Sequence, residues 1–125
     1  MNRFLVWLPV VTWAGVIFFV SAQPKETFDR LGLSGLLISS LGHLVTYGIL
    51  MYLVVLALHY GSSLPARYLF VCAFVLVALY GLSDEYHQSF VPGRTATIWD
   101  WLVDLVGAAS VWIVLARRGI PKGLA

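Results

Sequence analysis

The stretch 41-LGHLVTYGILMYLVVLALHYGSSLPARYLFVCAFVLVALYGL-82 decides the fold. Two apolar runs, Leu41 to Tyr60 and Ala66 to Leu82, flank the short breaker Gly61-Ser62-Ser63-Leu64-Pro65. Each run approaches the roughly 20 residues that an α-helix needs to cross a bilayer core. So short a turn makes the two helices antiparallel neighbours. Two further runs lie outside them. Phe4 to Ala22 ends at Gln23-Pro24, and Ile98 to Ala116 follows the breaker Val91-Pro92-Gly93. The reading is an all-α, polytopic membrane protein with four transmembrane helices. No repeat or low-complexity tract divides the chain, so residues 1–125 read as a single domain.

Composition agrees. Hydrophobic residues make up 60% of the chain, charged ones 11%, and the mean hydropathy is +0.87. Soluble domains hold about 45–50% apolar residues, and a chain this short has too little interior for the excess. The net charge is +2, with the basic residues at the ends of apolar runs, a pattern for a membrane surface and not for nucleic acid. The lone Cys72 excludes an internal disulfide and reads as a buried thiol.

Placing both termini in the cytoplasm puts Arg3, Arg67, Arg117, Arg118 and Lys122 inside and Lys25, Arg30 and Arg94 outside. The bias favours that orientation. Arg3, the apolar stretch and Val20-Ser21-Ala22 are also similar to a secretory signal. The stretch exceeds the usual 7–15 or so apolar residues of such signals, so the first helix is read as retained. In the first connection, Ser34 could cap a helix from Gly35 carrying Leu36, Leu37 and Ile38, either interfacial or an early start of the second span.

Polar residues concentrate in Asp84-Glu85-Tyr86-His87-Gln88 and on to Arg94, with Asp100 and Asp104 beyond. Polar groups beside or inside an apolar slab mark a candidate site. Asp84, His87 and Gln88 share one face if the third helix continues that far, with Glu85 about 100° round. Carboxylate, imidazole and amide there can hold a divalent cation, relay a proton or bind a polar headgroup, although the spacing is not that of a zinc motif. His43 and Tyr47, four apart, either complete this cluster or serve as packing and interface residues. His59, beside Tyr60, reads as an interface anchor.

Arg94 is expected to pair with Asp84 or Glu85, to grip a ligand anion with its planar fork, or both in turn. Asp100 either caps the fourth helix or joins the site. Asp104 lies one turn deeper, where a carboxylate facing lipid would cost up to about 2.5–3.5 kcal/mol. It is therefore expected to face the bundle interior. Gly107-Ala108-Ala109-Ser110 permit close helix approach.

Asp84-Glu85, Gln88, Phe90, Pro92-Gly93-Arg94, Asp100 and Gly107, with Ser21-Ala22-Gln23-Pro24, His43 and Tyr47, resemble the VanZ-like family of small bacterial membrane proteins. Two positions depart from its usual pattern. Asp104 stands where the family often has Asn, and Ser39-Ser40-Leu41-Gly42 where an acidic–basic pair often precedes the histidine. The resemblance implies a four-helix protein of the bacterial plasma membrane and cell envelope. The family's namesake is associated with low-level resistance to teicoplanin, a lipid-bearing glycopeptide.

Three functions are compatible with these residues. One is a binding protein for a membrane lipid or lipid-linked cell-wall precursor, with His43, Tyr47, Gln88, Arg94, Asp100 and Asp104 as ligand-binding residues. The second is an integral-membrane enzyme, with Glu85 or Asp84 as base, His87 or His43 as proton shuttle and Arg94 as anion clamp. The third is a proton-coupled carrier using Asp104, which would need a homo-oligomer.

Overall fold

The computed structural model describes residues 3–33, 35 and 40–122. A 3-10 turn, Leu5–Trp7, leads into α1 (Leu8–Ser21). A short helix α2 (Lys25–Arg30) follows, then three long helices: α3 (Ser40–Gly61), α4 (Ala66–Gln88) and α5 (Ile98–Arg118). There is no strand among the described residues. The expected helix from Gly35, with Ser34 as its cap and Leu36 to Ile38 on it, lies largely outside the described residues. The element seen in the first connection is α2, which begins after Pro24 and carries an Arg30–Glu26 ion pair.

The helix limits follow from local chemistry. Pro65 precedes α4, where its missing N–H is no loss. Thr97 caps α5 by accepting the Asp100 N–H. Gly119, at φ +85, closes α5 with its N–H on the Leu115 carbonyl. The third span is longer than its apolar run, which ends at Leu82. Helix α4 continues to Gln88 because nothing in Ser83–Gln88 breaks a helix and Asp84, Glu85 and Gln88 turn inward.

Helices α3, α4 and α5 have 22, 23 and 21 residues. At about 1.5 Å per residue each matches a hydrocarbon core of about 30 Å. The apolar segment Leu5–Ser21 is shorter, near the lower limit for a span. The burial pattern inverts that of a soluble protein. Phe18, Phe19, Val75, Leu79, Val106 and Ile113 are exposed on the outer faces, while Asp84, Glu85, Gln88 and Asp104 are buried. This is a polytopic membrane protein with about four spans.

Helix α3 forms the centre, burying Tyr47, Leu50, Met51, Val54 and Val55 against Leu69, Ala73 and Val77 of α4 and Ala108 of α5. Its closest neighbour is α5. A Cβ added at Gly107 would lie 2.2 Å from the Leu44 carbonyl oxygen, so glycine is required there, as the small-residue run implies. Cys72 is half-buried on α4, less enclosed than expected. His59 stacks edge-on against Tyr60.

At one end of the bundle Tyr60 Oη donates to the Pro121 carbonyl at 2.5 Å, and Gly61 lies against Val6. At the other end Gly93, at φ +75, packs on Lys25, and Ser21 meets Gln88. Arg3, Arg67, Arg117, Arg118 and Lys122 thus collect at the first end, and Lys25, Arg30 and Arg94 at the second.

Candidate functional site

Asp84 and Gln88 occupy successive turns of α4 and point toward α1 and α3. Tyr47 Oη donates to Asp84 Oδ2 at 3.0 Å, and Gln88 Nε2 donates to the same oxygen at 3.2 Å. The Gln88 amide also donates to Ser21 Oγ at 3.2 Å, tying in the last turn of α1. Its carbonyl oxygen accepts from Arg94 Nη2 at 3.1 Å, and the Arg94 guanidinium lies 5.4 Å from the Phe28 ring centroid. A chain of polar contacts thus runs from the Pro-Gly turn into the bundle.

Glu85 turns the other way, toward α3 and α5. There His43 Nδ1 and Asp104 Oδ1 are 3.0 Å apart, with Asp104 only 1% exposed. One donor atom from each of His43, Glu85 and Asp104 lies within 4.8 Å of the others, so these three can hold a metal ion. Gly81 makes the approach possible: a Cβ there would meet Trp101 and Tyr47 at 3.2 Å and Asp104 Oδ2 at 3.5 Å.

Two cavities meet at this place. One, of about 150 Å³, runs between α1, α3 and α4, with Trp13, Val16, Ile17 and Val20 as its apolar wall and Ser21, His43, Tyr47, Asp84, Gln88 and Arg94 at its polar end. The other, of about 220 Å³, is bounded by Lys25, Gly93, Thr95 and Asp100 and shares His43, Gln88 and Arg94 with the first. Burial pulls the Arg94 pKa below its ordinary value, and the charges of Asp84, Glu85 and Asp100 oppose that pull. Arg94 Nη1 is buried and has no hydrogen-bond partner among the described residues.

A model of the VanZ/LLP1 family matches residues 5–118. The chain belongs to the VanZ/LLP1 family. The match runs from the Leu5 turn through the end of α5, so every side chain of both polar clusters falls inside it. No curated protein and no solved structure matches the chain.

Within this VanZ/LLP1 fold the structure brings together His43, Tyr47, Asp84, Glu85, Gln88, Arg94 and Asp104, and it narrows the sequence reading at three residues. His87 does not join Asp84 and Gln88. Its ring stacks on Phe18 of α1, with centroids 4.5 Å apart and planes 9° from parallel, because its position on the helix faces the outer side of α1. Arg94 makes no ion pair with Asp84 or Glu85; the Pro-Gly turn carries it to Gln88 and Phe28 instead. Asp100 is primarily a helix-capping partner. Thr97 Oγ1 accepts from its backbone N–H at 3.3 Å and donates to its Oδ2 at 2.8 Å, though its side chain also borders the second cavity. Sequence reasoning missed Ser21 and Phe28 as contributors. Ser21 stood in the Ser-Ala-Gln-Pro motif, the one signal for it. Nothing local marks Phe28.

Proposed function

We propose that this VanZ/LLP1 chain is a protein of the bacterial plasma membrane that binds the anionic headgroup of a membrane lipid or lipid-linked cell-wall precursor. The single observation that carries this reading is Arg94. One nitrogen, Nη2, is fixed by Gln88 Oε1, while Nη1 is buried with no hydrogen-bond partner among the described residues, on a side chain that borders both cavities. A planar guanidinium held from one side is prepared for a phosphate or carboxylate on the other. Lys25 adds a second positive charge at the rim of the outer cavity.

The dimensions favour a headgroup over a whole lipid. A cavity of about 150 Å³ accommodates a group about the size of benzene. Acyl chains would remain outside, along the apolar face that α1 presents through Val16 and its neighbours. Both termini lie in the cytoplasm in this reading. Five basic residues gather at the end holding the termini and three at the site end, so the headgroup is taken from the outer leaflet. Sequestering such a headgroup at the envelope would alter susceptibility to teicoplanin-type lipoglycopeptides.

A second reading, an integral-membrane enzyme acting on a lipid-linked or phosphate-bearing substrate, has one observation in its favour. The His43–Asp104 pair beside Glu85 is a carboxylate–imidazole set of the kind that moves protons. Substrate-dependent turnover by purified protein would favour it.

The binding reading is tested by native mass spectrometry of the purified protein titrated with phosphatidylglycerol and, separately, phosphatidylcholine. Preferential retention of the anionic lipid is expected. Equal retention of both would contradict selection for an anionic headgroup.

A further inference from the structure

Headgroup binding at Arg94 leaves the deeper polar cluster without a purpose. Glu85 is 7% exposed, yet neither carboxylate oxygen has a hydrogen-bond partner among the described residues. Asp104 is more enclosed still; its Oδ1 meets His43, but its Oδ2 is likewise unpartnered. Buried carboxyl oxygens are almost always satisfied, and two such residues side by side call for a third party.

Charge balance locates the deficit. Asp84 receives two donors, from Tyr47 and Gln88, both on Oδ2, which leaves its buried Oδ1 unpartnered among the described residues but the carboxylate itself held. Arg94 forms no ion pair with any carboxylate among the described residues. Glu85 and Asp104 therefore share only His43 between them. Protonating the acids one at a time would not require their oxygens to converge with an imidazole nitrogen. Convergence within 4.8 Å, from three different helices, is the feature that separate protonation leaves unexplained.

The geometry points to a divalent metal site formed by His43 of α3, Glu85 of α4 and Asp104 of α5, taking a first-row transition ion such as Zn²⁺ or Mn²⁺. One imidazole and two carboxylates form a mixed nitrogen–oxygen set, which suits these ions better than Mg²⁺ or Ca²⁺. Donors at about 2.0–2.2 Å from one ion stand roughly 3–4 Å apart. A contraction of about 1 Å or less from the observed spacing suffices, within the reach of a Glu side chain that nothing else holds. Binding needs neutral His43 and two ionised carboxyls, so it releases protons. Three protein ligands leave at least one coordination position free. His43 borders the cavity of about 220 Å³, which gives the ion a route in and faces it toward the anion position at Arg94. Of its three ligands only His43 also borders the headgroup cavities, and Arg94, which carries headgroup recognition, is not among them.

The test uses the full chain purified in detergent with a non-histidine affinity tag, stripped with a chelator and desalted after exposure to Zn²⁺ or Mn²⁺ alone. Elemental analysis should find one ion per chain in the wild type. The same is expected of Glu26→Gln, an exposed acid on α2. Removing even an outer-shell partner of a metal ligand lowers affinity about 10- to 100-fold, so Glu85→Gln and Asp104→Asn should lose at least about 100-fold. Full retention by Glu85→Gln would overturn the site, as would substoichiometric metal in wild type that elutes as a folded species. Should the variants fail to fold, X-ray absorption at the zinc edge of the loaded wild type decides the matter. A shell of light atoms with one imidazole supports the site, and a shell with sulfur or without imidazole overturns it.

Discussion

His43 Nδ1 on α3 and Asp104 Oδ1 on α5 lie 3.0 Å apart, both buried, beside the place where Gly107 lets the two helices meet backbone to backbone. The pair therefore joins the two most closely packed helices through polar atoms in an apolar bundle. Asp104→Ala should lower stability in detergent by about 1–3 kcal/mol, because it leaves the buried His43 ring nitrogen without its partner. Asp104→Asn keeps the shape and one acceptor and should lose markedly less. Thermal unfolding followed by circular dichroism checks this ordering; equal losses would show that charge, not hydrogen bonding, holds the pair.

Gly107→Ala should lower stability by about 1–3 kcal/mol, the usual effect of overpacking, because its Cβ would lie 2.2 Å from the Leu44 carbonyl oxygen. Gly15→Ala is the matched control. A Cβ there meets nothing within 4 Å, so the helix should be unchanged or slightly firmer. Comparing the two midpoints in one detergent separates helix contact from helix propensity.

His87→Phe should leave anionic-lipid retention and thermal midpoint close to wild type. The imidazole stacks on Phe18 and its Nδ1 makes no hydrogen bond among the described residues, so a phenyl ring replaces it with little loss. A large drop in lipid retention would return His87 to the site, as the acid–base reading of the sequence had it.

Orientation is checked by single cysteines at Ser89 and Lys122 in a Cys72→Ala background, both positions being exposed. With both termini cytoplasmic, an impermeant maleimide applied to intact cells should label the Ser89→Cys protein and not the Lys122→Cys protein. The reverse pattern would turn the site toward the cytoplasm.

Much of this was legible in the residues. Spans two and four end within two residues of their apolar runs, and Asp104 faces inward because lipid exposure of a carboxylate is costly. The i, i+4 spacing of His43 and Tyr47 put both on one face of α3, and that face is buried. The end of α4 was not legible from hydropathy, which stops at the first charges even where a helix turns them inward. Nor could spacing show that Asp84 and Glu85, adjacent in the chain, serve different clusters; that depends on which helices stand on each side of α4. For Arg94, pairing with a carboxylate was one of the expected alternatives, and that one is not seen. Its expected carboxylate partners are close enough to act on its charge, but its hydrogen bond goes to Gln88 and its stacking to Phe28, a residue from a distant connection.

That partner choice changes what Arg94 substitutions should do. No buried carboxylate loses an ion pair when Arg94 is replaced, so stability should suffer little in Arg94→Lys, whose ammonium can still donate to Gln88, and by about 1–3 kcal/mol in Arg94→Ala, which leaves the buried Gln88 Oε1 without its donor. Recognition should suffer in both, since a lysine keeps the charge but lacks the second nitrogen that remains free while the first holds Gln88. The most direct measurement is the equilibrium affinity of wild type and Arg94→Lys for phosphatidylglycerol, at matched protein stability. Loss of one charge-assisted hydrogen bond, about 1.5–3 kcal/mol, corresponds to roughly a 10- to 150-fold weaker affinity for Arg94→Lys. An Arg94→Lys protein that binds phosphatidylglycerol as tightly as wild type would contradict headgroup recognition through the free Nη1 of Arg94.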